Sequence, residues 1–281
     1  MEYNNKVFYL GPEGSYTQIA TEKFINFFKF KNLEANGMKN IKSVLDNFVN
    51  DENSIAVVSI ENLIEGFVRE SLDGIKNFTN PDLTIFAETQ IPIQHCLVAN
   101  TNNIDDIKTV VSHPQAIAQC HNTITSILNG EIEFLPYSST SGSALFIKDK
   151  GNSFASITNK KTAQIYNLNI LKENINDEKG NVTRFLLLKR GKTKANGNDK
   201  TSIVFSTKNE HGALLKVLNI FEKYKINLTH ISSRPNKKHL GDYIFFVDFT
   251  GHITEDIVIK TLNEVKNNCS WLKILGSFSE I

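Results

Sequence analysis

The chain has 281 residues, of which 40% are hydrophobic and 22% are charged, and this composition excludes general disorder. At roughly 150 residues per domain, the length predicts two domains. The 31 basic and 30 acidic side chains almost cancel, which argues against nucleic-acid binding.

No apolar run in the sequence approaches the roughly 18 residues that a membrane helix requires. Residues 1–6 carry neither a basic region nor the start of a long apolar run, so no export signal is predicted. Cys96, Cys120 and Cys269 are widely separated and lack the spacing of metal ligands. We therefore expect a soluble, cytoplasmic protein with reduced thiols, no metal site and no membrane partner.

Short apolar runs alternate with helical patterns along residues 1–190. The predicted strands are 7–10, 55–58, 83–87, 94–99, 109–111, 131–135, 154–157 and 182–188. The predicted helices are one that includes 24–28, and 61–75, 114–128, 143–148 and 160–166. Strands that alternate with helices predict an α/β fold with crossover connections and largely parallel sheets. About eight strands exceed what one compact sheet needs, so we predict two α/β lobes that face a cleft.

Residues 189–200 contain almost no large apolar side chain, and a linker is predicted at 191–199 between domains 1–190 and 200–281. In the second domain, strands are predicted at 201–207, 228–234, 243–250 and 271–277, with helices at 212–224 and 255–267. A polar stretch from Pro235 to His239 predicts a hairpin turn. The order βαββαβ is typical of a ferredoxin-like sandwich. Such a small domain leaves one sheet face uncovered, so pairing between chains is expected.

Four polar turns each join a predicted strand to a predicted helix: 11–17, 112–116, 138–142 and 158–160. A helix N-terminus presents unpaired N–H groups and a positive dipole end, so two of them facing one cleft could hold a dicarboxylate. The alternative is that Ser, Thr and Asn act there as ordinary N-caps. The sequence has no dinucleotide-binding glycine motif, no zinc-protease motif and no nucleophile elbow. Chemistry without a cofactor, or no chemistry, is therefore expected.

Several segments, in chain order, resemble the prephenate dehydratase family: 11–17, 60–73, 88–97, 112–120 and 181–185. The most specific are Ser112-His113-Pro114-Gln115-Ala116-Ile117-Ala118-Gln119-Cys120 and Thr183-Arg184-Phe185, the latter matching the family's catalytic motif. The second domain is similar to an ACT domain, with Gly212-Ala213-Leu214 at its first helix and Ser233-Arg234-Pro235 ending its second strand.

This resemblance implies a bilobed α/β catalytic domain, similar to periplasmic binding proteins, followed by a ferredoxin-like ACT regulatory domain. The implied activity is loss of carbon dioxide and a hydroxyl group from prephenate, which gives phenylpyruvate for L-phenylalanine biosynthesis. No cofactor is implied. Feedback inhibition by L-phenylalanine and assembly into a homodimer or homotetramer are also implied.

Thr183 is the predicted catalytic residue, as a hydrogen-bond donor to the leaving hydroxyl group. Its alternative role is as an ordinary strand residue. Asn62 is predicted to bind the substrate or to cap a helix, and His113 to act in catalysis or to bond the backbone. Arg184 could pair with a substrate carboxylate, but it points away from Thr183 in a strand and could instead bond an acidic neighbour.

The predicted substrate-binding set is Ser15, Asn62, Ser112, Gln115, Ser139, Thr140, Arg184 and Phe185. The predicted phenylalanine-binding set, carried over from the ACT motifs, is Asn209, Gly212, Ala213, Leu214, Ser233, Arg234 and Pro235.

The chain departs from the family pattern at several positions. Ser59 and Leu63 stand where family members usually have proline and serine, so a substrate contact is expected to be missing. His211 and Ser232 replace a usual proline and glutamate, and weaker phenylalanine binding is expected. Two alternatives stay open: an arogenate dehydratase, and a non-catalytic amino-acid-sensing binding protein. The intact Thr183-Arg184-Phe185 motif argues against the sensor, and Leu63 argues for it.

Overall fold

The computed structural model describes residues 5–236 and 242–281, which form two sheets with helices on their faces. Lobe 1 comprises residues 5–92 and 182–190, lobe 2 comprises residues 93–181, and the C-terminal domain comprises residues 199–281.

The strands of lobe 1 belong to the larger sheet and its helices cover both faces. They are β1 (Asn5–Leu10), α1 (Tyr16–Phe28), β2 (Leu33–Met38), α2 (Ile41–Asn50), β3 (Ile55–Asn62), β4 (Gly66–Phe67), α3 (Arg69–Lys76), β5 (Leu83–Pro92) and β11 (Val182–Arg190). Helix α1 packs on one face of the sheet through Phe24, against Val7 and Leu187. Helices α2 and α3 pack on the other face, where Phe48 and Leu72 are buried. Side chains that alternate along each strand supply these two cores.

Lobe 2 has its own five-stranded sheet, in the order β10-β6-β9-β7-β8. Its elements are β6 (Cys96–Ala99), a 3₁₀ turn (Ile104–Asp106), β7 (Thr109–Ser112), α4 (Pro114–Ile127), β8 (Glu133–Pro136), α5 (Thr140–Lys148), β9 (Phe154–Thr158), α6 (Lys160–Tyr166) and β10 (Asn169–Lys172). Two chain segments connect the lobes, and they are bonded to each other where Ile93 N donates to Asn181 O at 2.8 Å. The lobes therefore face each other across a narrow double connection.

The C-terminal domain extends the sheet of lobe 1. Its elements are β12 (Asp199–Ser206), α7 (Ala213–Lys223), β13 (Leu228–Pro235), β14 (Tyr243–Thr250), α8 (Asp256–Asn267) and β15 (Trp271–Glu280). Parallel pairing of β15 with β5 gives the continuous order β13-β14-β12-β15-β5-β11-β3-β1-β2. Helices α7 and α8 cover one face of the domain's strands. The other face joins the lobe 1 core, where Val204, Phe246 and Leu275 share one cluster with residues of α2 and α3.

The predicted α/β fold with two lobes and a βαββαβ domain is confirmed, but some local predictions are wrong. The sheets are mixed rather than largely parallel, because β11 runs antiparallel to β3 and β5, and β6 runs antiparallel to β9. The helix predicted at 61–75 begins only at Arg69. Asn62 ends strand β3 instead, and its side-chain oxygen accepts from Ile64 N and Glu65 N at 3.1 and 3.0 Å.

The elements β2, α2 and β10 are absent from the sequence prediction. Strands β2 and β10 lie at sheet edges, where polar residues replace the apolar run that marks a buried strand. Strands β13 and β14 pair antiparallel as the hairpin prediction requires. Most of its predicted turn, residues 237–239, lies outside the described residues.

Candidate functional site

A cleft of about 470 Å³ lies between lobe 1 and lobe 2. Its lobe 1 wall includes the end of β3, which carries Asn62, and the start of β11, which carries Thr183. Its lobe 2 wall includes the first turns of α4 and α5, with Gln115 and Thr140. Ligands of open α/β folds commonly bind at such strand ends and helix starts.

Thr183 and Asn62 are direct neighbours on adjacent strands. Asn62 Nδ2 donates to Thr183 Oγ1 at 2.9 Å and also contacts Asn181 Oδ1 at 2.8 Å. Because the Thr183 oxygen accepts this bond, its own proton is directed elsewhere, and the described residues offer no hydrogen-bond acceptor for it. Thr183 is 9% exposed and lines the cleft. Thr183 can therefore donate its proton to a ligand there.

A chain of amide side chains continues from this pair across the cleft to lobe 2. Asn181 Nδ2 donates to Gln119 Oε1 at 3.1 Å, and Gln119 Nε2 donates to Glu65 Oε1 at 3.1 Å. The amide of Asn62 is thus oriented by acceptors in both lobes. Asn181, Gln119 and Glu65 all line the cleft, although none was among the predicted site residues. Their polarity inside the family-like segments was the signal that could have identified them.

Three of the four predicted polar turns start helices at the cleft. The N-cap of α1 is Ser15, whose Oγ accepts from Gln18 N at 3.2 Å. The N-cap of α5 is Ser139, whose Oγ accepts from Gly142 N at 3.0 Å. Helix α4 is capped by His113, whose Nδ1 accepts from Gln115 N at 3.3 Å. First-turn N–H groups that the caps leave unpaired belong to residues lining the cleft: Tyr16, Thr17, Ala116 and Thr140.

The fourth turn, which starts α6, holds the lobes together instead. Its N-cap Asn159 donates through Nδ2 to Gly14 O at 2.8 Å, and Thr162 Oγ1 donates to the same oxygen at 2.9 Å. Gly14 has φ +83°, and a Cβ atom at this position would lie 2.6 Å from Thr162 Oγ1. Only glycine therefore allows this close approach of the two lobes.

The charge of the cleft is unusual for a site that would take an anion. No lysine or arginine is found among the described residues that line it, and Glu65 is the one carboxylate there. Burial lowers the pKa of His113, and it lowers the pKa of His95 to about 4, so both imidazoles are neutral near pH 7. The positive features of the cleft are the N-terminal ends of α1, α4 and α5.

Aromatic side chains supply the apolar surface of the cleft. Tyr16 lies edge-on to His95 with ring centroids 5.9 Å apart, and its hydroxyl donates to Gln94 O at 2.7 Å. Burial raises the pKa of Tyr16, so the phenol stays protonated. His95 Nδ1 is buried and has no hydrogen-bond partner in the described part of the chain. With Phe67 and Phe185, these rings form a surface suited to a six-membered ring.

Most residues of the predicted catalytic and substrate-binding set line this cleft. Those that line it are Ser15, Asn62, Gln115, Ser139, Thr140, Thr183 and Phe185. His113 lines it as well, and so does Ser59. Leu63 is 70% exposed and does not line the cleft.

Ser112 and Arg184, by contrast, do not reach the cleft, which corrects their predicted role in binding substrate directly. Ser112 is fully buried at the end of β7, and its Oγ donates to Ile157 O at 2.7 Å. Arg184 points to the opposite face of β11 from Thr183, as strand alternation requires. There its Nε contacts Glu88 Oε2 and its Nη2 contacts Asp248 Oδ2, each at 2.5 Å.

The predicted phenylalanine-binding residues fall into two groups. A cavity of about 230 Å³ at the start of α7 is lined by Asn209, Gly212, Ala213 and Leu214, together with Tyr243 and Phe245 among others. The residues of the second motif do not line it: Ser233, Arg234 and Pro235. These three lie at the end of β13, the edge strand of the described sheet.

Residues 5–236 and 242–281 contain no group of three His, Cys, Asp or Glu side chains that could hold a metal ion. Within the same ranges, no helix has the length and apolar character needed to cross a membrane. The three cysteines are free thiols.

Comparison with known proteins relates both domains to described families. Residues 7–193 match the family model "Prephenate dehydratase", and residues 201–267 match the model "ACT domain". Over 280 residues the chain is 37% identical to the prephenate dehydratase of Methanocaldococcus jannaschii. This alignment covers 98% of each protein. It is also 37% identical to the bifunctional chorismate mutase/prephenate dehydratase of Aquifex aeolicus, over 99% of this chain and 74% of that protein.

A solved structure agrees with both matches. The crystal structure of prephenate dehydratase in complex with L-Phe from Arthrobacter aurescens superposes with a TM-score of 0.87 and 31% identity. The superposition covers 98% of this chain and 90% of that chain.

Proposed function

Because the chain belongs to the prephenate dehydratase family, we propose that it converts prephenate to phenylpyruvate in the biosynthesis of L-phenylalanine. The observation that carries this proposal is the hydrogen bond from Asn62 to Thr183 inside the cleft. It leaves one hydroxyl proton directed to a ligand, and proton donation to a leaving hydroxyl group is what the reaction requires.

In this reaction the bond between the ring and its carboxylate breaks, and the released electron pair forms the aromatic ring. The bond between the ring and its hydroxyl group breaks in turn, carbon dioxide departs, and the hydroxide takes up a proton to become water. Aromatisation drives the change, so the protein mainly orients the ring and stabilises the departing oxygen. A threonine is a poor acid, so Thr183 acts through a hydrogen bond that strengthens as charge builds on that oxygen.

Binding of the two substrate carboxylates is assigned to the N-terminal ends of α1, α4 and α5. Three helix ends, each equivalent to roughly half a positive charge, together balance most of a dianion. The ring of the substrate lies against Phe67 and Phe185, which line the cleft. The substrate-binding roles of Ser15, Gln115 and the Ser139-Thr140 pair follow from this arrangement.

We further propose that L-phenylalanine binds the C-terminal domain and inhibits the enzyme. The cavity at Gly212 presents the start of α7 to a carboxylate, while Leu214 and Phe245 supply apolar surface. Because Ser233 to Pro235 lie outside this cavity, a second chain would complete the site with its own β13. This favours a homodimer or a dimer of dimers. We also propose that the protein is located in the cytoplasm.

Assays of the purified protein with prephenate and with arogenate, in separate reactions, test the proposal. Phenylpyruvate from prephenate is the expected product, and the Thr183→Val variant is the matched control. Phenylalanine formed from arogenate at a higher kcat/KM would make the protein an arogenate dehydratase. Absence of product from both substrates would leave only the amino-acid-sensing binding protein.

A further inference from the structure

Strand β13 of the C-terminal domain has two different faces. From Thr229 to Pro235, the odd-numbered residues are exposed and the even-numbered residues are half-buried. The exposed set includes Ser233, which belongs to the predicted phenylalanine-binding motif. The half-buried set includes His230 and Arg234, and both side chains point to lobe 1.

Arg234 is bonded to helix α3 of lobe 1 rather than to the cavity at Gly212. Its Nη2 lies 3.1 Å from Asp73 Oδ2, and its Nη1 donates to Arg69 O at 3.1 Å. The Arg234 side chain is 16% exposed. A guanidinium held at two points fixes both distance and orientation, so β13 and α3 move together.

His230 makes a second contact with the same part of lobe 1. Its side chain is 7% exposed, and its ring lies edge-on to Phe67, with centroids 4.4 Å apart at an angle of 80°. Phe67 belongs to β4 and lines the cleft, as do its neighbours Gly66 and Val68. The segment from β4 to α3, residues 66–76, is therefore held by β13 at its start and in its middle.

We propose that β13 transmits phenylalanine binding to the cleft by moving segment 66–76, through the contacts Arg234–Asp73 and His230–Phe67. The proposal rests on the proposed inhibition by phenylalanine. A ligand on the exposed face of β13 that favours one position of the strand also favours one position of Arg234 and His230. Segment 66–76 follows them, and the cleft wall formed by Phe67 moves relative to Thr183.

The test is Asp73→Asn, which removes the ion pair without changing any residue at either proposed ligand site. Asp46→Asn is the matched control, because Asp46 pairs with Lys42 on the exposed surface of α2 in the same lobe. Calorimetry measures phenylalanine binding, and initial rates with prephenate give kcat/KM with and without saturating phenylalanine. Couplings of this kind are typically about 5- to 150-fold. We expect Asp73→Asn to bind phenylalanine and keep its uninhibited activity. The ratio of kcat/KM without phenylalanine to kcat/KM with phenylalanine should fall by about threefold or more.

His230→Gln provides a second test that does not depend on the stability of the Asp73 variant, and it should weaken inhibition in the same direction. If the wild type binds phenylalanine and both folded variants are inhibited as strongly as the Asp46 control, the role of β13 is refuted while inhibition itself stands. If calorimetry detects no phenylalanine binding to the wild type, the proposed regulation fails and this route fails with it.

Discussion

Replacement of Thr183 by valine tests the proposed chemistry most directly. Valine keeps the branched shape of threonine and removes only the hydroxyl group that faces the cleft. If that group bonds the departing oxygen in the transition state, its loss should raise the barrier by about 2.7 to 4 kcal/mol. This corresponds to a fall in kcat of about two to three orders of magnitude with KM little changed.

The surroundings of Thr183 allow a loss of activity in the valine variant to be separated from a loss of stability. Asn62 Nδ2 keeps Asn181 Oδ1 at 2.8 Å and Val182 O at 3.3 Å as acceptors, so no buried donor is left unsatisfied. The free energy of unfolding should therefore change by less than about 1 kcal/mol. Phenylpyruvate formation gives kcat and KM, urea unfolding gives stability, and Thr183→Ser should keep most of the activity. Near-normal turnover by a folded valine variant would refute the role of the hydroxyl group.

The remaining predictions concern the cleft and the regulatory cavity. Asn62→Ala should lower kcat far more than Leu63→Ser, because Asn62 bonds Thr183 Oγ1 and Leu63 is exposed. The reverse order in steady-state rates would contradict the proposed role of Asn62 in the cleft. His95 has its pKa lowered by burial from 6.5 to about 4, so the unfolded chain alone binds a proton between these values. Stability should therefore fall by up to about 3 kcal/mol from pH 6.5 to 4, and urea unfolding of His95→Leu should show a smaller fall. Gly212→Leu should abolish phenylalanine inhibition and keep activity without phenylalanine, since the new side chain would occupy the cavity at α7. Unchanged inhibition in rate assays would exclude this cavity as the phenylalanine site.

The parts of the fold that sequence reasoning recovered are those with strong periodic patterns. The central strands β3 and β9 are apolar runs, and helices α4 and α6 have clear starts, with proline after His113 and a cap at Asn159. Lobe 1 was harder to assign because β11 returns to it from lobe 2 and inserts between β3 and β5. Periodicity reports local structure, and it carries no information on which distant strand becomes a neighbour.

The candidate site was predictable to a similar degree. Strand alternation alone predicts that Thr183 and Arg184 point to opposite faces, and the structure shows the arginine bonded to Glu88 and Asp248. The contact between Asn62 and Thr183 could not be derived, because the two residues are 121 positions apart. Their pairing depends on the register of β3 with β11, which is set by tertiary packing.

The absence of lysine and arginine among the described cleft residues has a catalytic rationale if the substrate is prephenate. One of its two carboxylates leaves as neutral carbon dioxide, so the negative charge on that group disappears as the reaction proceeds. A fixed cation beside it would stabilise the ground state more than the transition state and would slow the reaction. Helix N-termini attract an anion more weakly and do not form an ion pair that must be broken. At the departing oxygen the charge changes in the opposite sense, and in the proposed mechanism Thr183 is the donor whose bond strengthens as the charge grows. With prephenate bound as proposed, the cleft would place its weaker attraction where charge is lost and its directed hydrogen bond where charge appears.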